Sequence, residues 1–269
     1  MAEHYHRDAQ IQNTVRPLLP PAPPLLSPLC LRYLTPTPTT RLSVAIAYHN
    51  ELPILLLRTL TVLAHRTPRA LLHEIVLVDD ASPQSLEREV AVWSDVYGVR
   101  VVHMRSPERL GITRARRRAI ELSSGELVAV LDSHMEVGEV WVEPLLAVIA
   151  DRPRAVAAPC IKMIFETNYS EAARPADPYT VSLNCGVGSL VFDGRLPHDM
   201  QERTVPYRSP SLAGGALLAT RQLLLELFPK TSPSGSKGWG VENSRLAVRA
   251  WLCAGGIWMS CCRYMIQFE

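Results

Sequence analysis

The stretch Leu127-Val128-Ala129-Val130-Leu131-Asp132-Ser133-His134 decides the fold class. Its apolar run is too short for a helix and reads as a strand buried on both faces, running straight into three polar residues. Working outward, Leu42-Ser43-Val44-Ala45-Ile46-Ala47 is a second such run, broken by Tyr48-His49-Asn50-Glu51. Glu74-Ile75-Val76-Leu77-Val78 is a third, ending in Asp79-Asp80-Ala81-Ser82, and Val99–Val102 is a fourth. Between them Ile54–Ala64, residues near 84–95 and Ile112–Leu122 have helical length and composition. This alternation predicts an α/β fold with a mostly parallel central sheet flanked by helices.

In sheets of this kind ligands sit beyond the carboxyl ends of the strands. Three of the expected strands end in polar or acidic groups, at Tyr48–Glu51, at Asp79-Asp80 and at Asp132–His134. In locally extended chain Asp132 and His134 project to one side, so a carboxylate oxygen and an imidazole nitrogen can converge on a divalent cation. The same residues also read as a solvated polar turn. Of Asp79 and Asp80, one carboxylate suits a helix N-cap and a second suits hydrogen bonds from a base or ribose. Arg114, Arg116, Arg117 and Arg118 read as a solvated helix face more readily than as a phosphate clamp, which leaves Arg109, in the preceding loop, as the better ligand contact. Gly214-Gly215 permits close approach of backbone to a ligand. Trp239-Gly240-Val241-Glu242-Asn243 offers an aromatic platform and a carboxylate, or else a packed tryptophan before a helix N-terminus.

Bulk properties narrow the class. The 269 residues are 47% hydrophobic with a formal net charge of +2, which suits a globular α/β protein and gives no reason to expect nucleic acid as a partner. No stretch reaches the roughly 20 apolar residues of a membrane span, and the N-terminus lacks a signal-peptide layout. The six cysteines show neither a CxxC pair nor a zinc-like Cys/His spacing. Eight prolines between Pro17 and Pro38 mark residues 1–40 as a largely irregular leader ahead of a domain spanning 41–269.

Taken in order, eight stretches resemble the catalytic domain of the polypeptide N-acetylgalactosaminyltransferases: Tyr48–Glu51, Glu74–Ser82, Gly111–Arg116, Leu131–His134, Trp141–Leu146, Leu212–Gly215, Trp239–Asn243 and Trp251–Gly256. The resemblance covers about residues 30 to 269 and implies a GT-A fold, UDP-N-acetylgalactosamine as donor, Mn2+ as cofactor, and retaining transfer to Ser/Thr hydroxyls of a polypeptide acceptor. By position it assigns Asp80 and Arg109 to the UDP moiety, with His49 and Glu51 also among the substrate-binding residues. Asp132 and His134 become metal ligands, and Gly214 and Gly215 lie beside the sugar. Trp239, Glu242 and Asn243 become the catalytic loop that closes over donor and acceptor. It also implies a Cys30–Cys253 disulfide and a Golgi location.

The chain departs from the family pattern late in its length. Ile266 stands where the family has a third metal ligand, Ala47 where a hydroxyl is usual, and Cys185 where tryptophan is usual. Residues 229–237 replace an aromatic-acidic approach to Trp239. The resemblance further implies that the chain is truncated, without a C-terminal lectin domain or a membrane anchor. These departures make a catalytically impaired relative, binding peptide or a partner transferase, the alternative expectation.

Overall fold

The computed structural model describes residues 40–164, 179–184, 189–195, 205–210, 212, 214–230 and 241–268. Apart from Thr40, the expected leader lies outside them, as do Cys30, Cys185 and Trp239. The first half alternates as expected: β1 (Leu42–Tyr48), α1 (Pro53–Arg66), β2 (Leu72–Asp79), α2 (Glu87–Tyr97), β3 (Val101–Arg105), α3 (Ile112–Leu122) and β4 (Leu127–Leu131). Then come β5 (Met135–Val137), α4 (Glu143–Asp151), β6 (Val156–Ile164), β7 (Tyr179–Asn184), β8 (Ser189–Arg195), β9 (Tyr207–Ser209), β10 (Ala216–Thr220), α5 (Arg221–Leu227), α6 (Val241–Cys253) and β11 (Ile257–Phe268).

The principal sheet runs β3-β2-β1-β4-β10-β6-β11-β5, with β9 paired to β11. Its first four strands are parallel. Beyond them the sheet is mixed: β10 is antiparallel to β4 and β6, and β11 is parallel to β6 but antiparallel to β5 and β9. The parallel half follows from helical crossovers, which return each strand in the same direction. β7 and β8 form a separate antiparallel pair.

Strand alternation divides the core into two layers. Leu42, Val44, Ile46 and Tyr48 of β1, with Leu127, Ala129 and Leu131 of β4, face Leu56, Leu60 and Leu63 of α1, Trp93 of α2 and Leu145 of α4. The intervening Ala45, Ala47, Val128 and Val130 face Ala115, Ala119 and Ile120 of α3, Leu223, Leu224 and Leu227 of α5, and Leu246 and Ala250 of α6. Each buried leucine or isoleucine contributes on the order of 1.5–3 kcal/mol of transfer free energy. All β1 and β4 side chains but Ser43, which is buried and donates to Glu74 Oε1 at 2.8 Å, are spent on one layer or the other.

Two arginines of α3 correct the reading of a solvated basic face. Arg116 and Arg117 are buried, while Arg114 and Arg118 are exposed or partly so. The Arg117 guanidinium donates to Leu225 O at 2.8 Å and to Phe228 O, closing the C-terminal end of α5. Arg221, at the start of α5, returns the contact by donating to Glu121 O at 2.8 Å and Ile120 O at 3.2 Å at the end of α3. Each helix therefore supplies the donors that the last carbonyls of the other lack.

The expected Cys30–Cys253 pairing is also corrected. Cys253, the last residue of α6, is an exposed free thiol. Cys160, buried in β6, is instead disulfide-bonded. Among the described residues no helix is long and apolar enough to cross a membrane.

Candidate functional site

The ends of β1, β2 and β4 are adjacent, since β1 pairs with both other strands. Two backbone excursions shape them. Asn50 and Ala81 have φ of 53° and 55°, the left-handed region that costs a residue with a β-carbon about 1–2 kcal/mol. Cross-links hold these turns: His49 Nδ1 bonds Asp80 O at 2.8 Å, and Asn50 N donates to Ser82 Oγ at 2.9 Å. Asp79 accepts from Ser82 N at 2.8 Å and so closes the turn after β2, while the N-cap of α2 is Leu86 rather than an aspartate.

Asp80 reaches the loop ahead of α3. Its carboxylate accepts from Leu110 N at 2.5 Å and Gly111 N at 3.0 Å, with Arg109 Nε at 3.2 Å. Gly111, with φ 81°, is the N-cap of α3, a conformation that favours glycine. The structure thus brings Asp80 and Arg109 together, with Asp80 buried and Arg109 about half exposed.

The Asp132-Ser133-His134 segment is not extended. Ser133 and His134 form a turn between β4 and β5, so the two candidate donors point to different partners. Asp132 Oδ1 is ion-paired with Arg116 Nη2 at 2.5 Å, and its amide donates to Gly215 O at 2.9 Å. His134 Nδ1 lies 2.8 Å from Glu51 Oε2, which also accepts from Ser133 Oγ. An ionised carboxylate only accepts, so His134 carries a proton on Nδ1. Burial pushes the Glu51 carboxyl upward, but the hydrogen bonds from His134, Ser133 and the Leu52 amide outweigh it and hold the group below its ordinary value.

On the far side of β4, Gly214 and Gly215 precede β10, and Glu242 and Asn243 open α6. The Asn243 amide lies so close to Gly214 that a β-carbon there would require the amide to move. Glu242 sits in the first turn of α6, where a carboxylate complements the helix dipole.

Sequence reasoning passed over three residues that structure this site: Arg116 on Asp132, Thr59 of α1 on Ser133 and Met135, and Arg58 of α1 on Glu136. Arg116 sat in a basic run that reads as surface, and its position beside the alanine stripe Ala115–Ala119 was the available signal of burial. Thr59 and Arg58 carry none, because their partners are 74 and 78 residues away in sequence. Among the described residues no group of three or more His, Cys, Asp or Glu is placed to hold a metal ion.

Acidic and histidine side chains gathered at neighbouring strand ends suit more than one chemistry, and the comparison with known proteins narrows the choice. Residues 43–228 match glycosyl transferase family 2. The chain belongs to that family.

Within it, the chain is a divergent relative of the polypeptide N-acetylgalactosaminyltransferases. It is 35% identical over 228 residues to polypeptide N-acetylgalactosaminyltransferase 4 of Caenorhabditis elegans, covering 82% of this chain and 36% of that protein. It is 33% identical over 164 residues to the inactive polypeptide N-acetylgalactosaminyltransferase-like protein 5 of Macaca fascicularis, covering 59% of this chain and 35% of the other. The chain spans little more than a third of the length of these relatives. In three dimensions it resembles GalNAc-T7, whose crystal structure holds UDP, GalNAc and Mn2+, with a TM-score of 0.75 at 28% identity over 86% of this chain and 43% of that one. The fold is GT-A.

Proposed function

We propose that this chain is the donor-binding region of a UDP-GalNAc:polypeptide transferase, acting in the Golgi to attach N-acetylgalactosamine to Ser/Thr hydroxyls with retention of configuration. The observation that carries this reading is that the adjoining ends of β1, β2 and β4 bring together Asp80 with Arg109, Asp132 with Arg116, and His134 with Glu51. The similarity to GalNAc-T7, crystallised with UDP, GalNAc and Mn2+, supports the choice of donor and ion. The likeness to polypeptide N-acetylgalactosaminyltransferases supports the acceptor, and the Golgi location is what the family resemblance implies.

In this scheme Asp80 orders the loop that presents Arg109 to the nucleotide. Asp132 and His134 fit a divalent cation: they offer one oxygen and one nitrogen donor, and the His134–Glu51 bond is the outer contact that metal-bound histidines ordinarily make. When bound, the ion supplies positive charge to the departing diphosphate. Arg116 adds a fixed buried cation beside Asp132. Gly214 lets the Asn243 amide pack against its backbone, and the family resemblance gives Glu242, Asn243 and Trp239 the role of closing over donor and acceptor. Incubation with UDP-GalNAc, Mn2+ and a Ser/Thr-rich peptide tests the proposal. Glycopeptide formation that D132N abolishes is the expected result; no product under any ion condition contradicts it.

A second reading has its own observation. Ile266 offers no lone pair at the family's third ligand position, and one relative is itself named inactive. A chain that binds UDP with Mn2+ yet neither transfers nor hydrolyses the donor would support this reading, with a peptide or a second transferase as its partner.

A further inference from the structure

One helix holds the turn that carries the candidate metal donors. Thr59 Oγ1, on the buried face of α1, donates to Ser133 O at 2.9 Å and accepts from Met135 N at 3.0 Å. The hydroxyl therefore bridges the backbone on both sides of His134. One residue earlier Arg58 is ion-paired with Glu136, both buried. Two turns later Arg66 Nη1 donates to Val137 O at 2.7 Å. Glu51, which accepts from Ser133 and His134, stands just ahead of the same helix.

We propose that Thr59 is a positioning residue for His134, and through it for the Asp132/His134 donor pair; this rests on the reading that the pair holds the cation. A turn between two strands has few backbone bonds of its own, and a neutral side chain that satisfies both a carbonyl and an amide of the turn fixes its path. The Glu51 contact sets the rotation of the imidazole, but only if the backbone brings the ring within reach. Thr59 supplies that condition. Both its bonds are to backbone, and nothing in its sequence context distinguishes it from an ordinary core threonine. Outer contacts of this kind typically change metal affinity by about 10–100-fold.

The test uses the whole chain with T59V, which keeps the shape and removes the hydroxyl, and T59S, which keeps the hydroxyl. Three quantities are measured: Mn2+ affinity by electron paramagnetic resonance, the His134 ring 15N–1H correlations, and Tm. T59V is expected to weaken Mn2+ binding by about tenfold or more and to change the His134 ring signals, with T59S restoring both. Unchanged ring signals and unchanged Mn2+ affinity in T59V overturn the proposal, however far Tm falls. If the wild-type chain binds no Mn2+, the metal reading fails, and the ring signals alone decide the positioning role. If T59V does not fold, amide exchange in the wild type replaces it: added Mn2+ should slow exchange at Met135, and no slowing overturns the proposal.

Discussion

A β-carbon at position 214 would lie 2.1 Å from Asn243 Nδ2, so the glycine before β10 and the asparagine at the start of α6 define one another. The contact joins two segments that the sequence separates and that the proposed function needs side by side. Overpacking of this kind costs about 1–3 kcal/mol. G214A is expected to lower Tm, and G214A/N243A to recover much of the loss because the clash is with the amide itself. Thermal melts of the four members of this cycle measure the coupling; additive losses would show that the contact is not shared.

Arg117 is expected to matter for stability without touching the site. R117M removes the donor to Leu225 O and Phe228 O while keeping most of the stem, leaving carbonyls at a partly buried helix end unsatisfied at a cost of about 1–3 kcal/mol. Urea denaturation should register that loss, and UDP affinity should remain that of the wild type.

Glu74 predicts a pH dependence. Burial raises its carboxyl pKa, but the bonds from the Ser124 amide and hydroxyl and from Ser43, with Arg100 nearby, outweigh it and hold it below the ordinary value of 4.5. The folded state thus favours the ionised form. Its stabilisation is complete above that ordinary value and is lost as pH falls through the lower folded one. E74Q should cost about 1–3 kcal/mol near neutrality, and its deficit relative to wild type should shrink on acidification below 4.5. A deficit independent of pH, measured by denaturant titration across that range, would refute the ionised assignment.

Ile266 gives a gain-of-function prediction. In β11 its backbone is opposite Glu136, two residues past His134. I266H should raise Mn2+ affinity by about tenfold or more if the remaining donors are in place. Unchanged affinity by calorimetry would mean that residue 266 does not complete the Asp132/His134 set.

Much of the fold was legible because its physics is local. The apolar runs of β1, β2 and β4 are short and uninterrupted, and Ile112–Leu122 and Leu127–Leu131 coincide with their elements in the structure. The antiparallel insertion of β10 between β4 and β6 was not legible, since a strand's direction depends on a long connection rather than on its own residues. At the site, the residue types at the strand ends were readable, but their partnerships were not. The same-side argument for Asp132 and His134 assumed extended chain where the structure has a turn. Glu51, expected among substrate-binding residues, has its carboxylate on Ser133 and His134. Arg116 looked like surface because charge dominates its neighbourhood in sequence, whereas its burial comes from the small Ala115 and Ala119 that bring α3 close to the sheet.

The central claim is that Asp132 and His134, held between Arg116 and Glu51, form a cation-dependent site for a uridine diphosphate. Isothermal titration of UDP into the wild-type chain, with Mn2+ and then with EDTA, tests it most directly. Binding in Mn2+ that is lost or weakened at least about tenfold in EDTA, and lost in D132N, is the predicted result. UDP binding of equal affinity with and without the ion, or none in either, would contradict it.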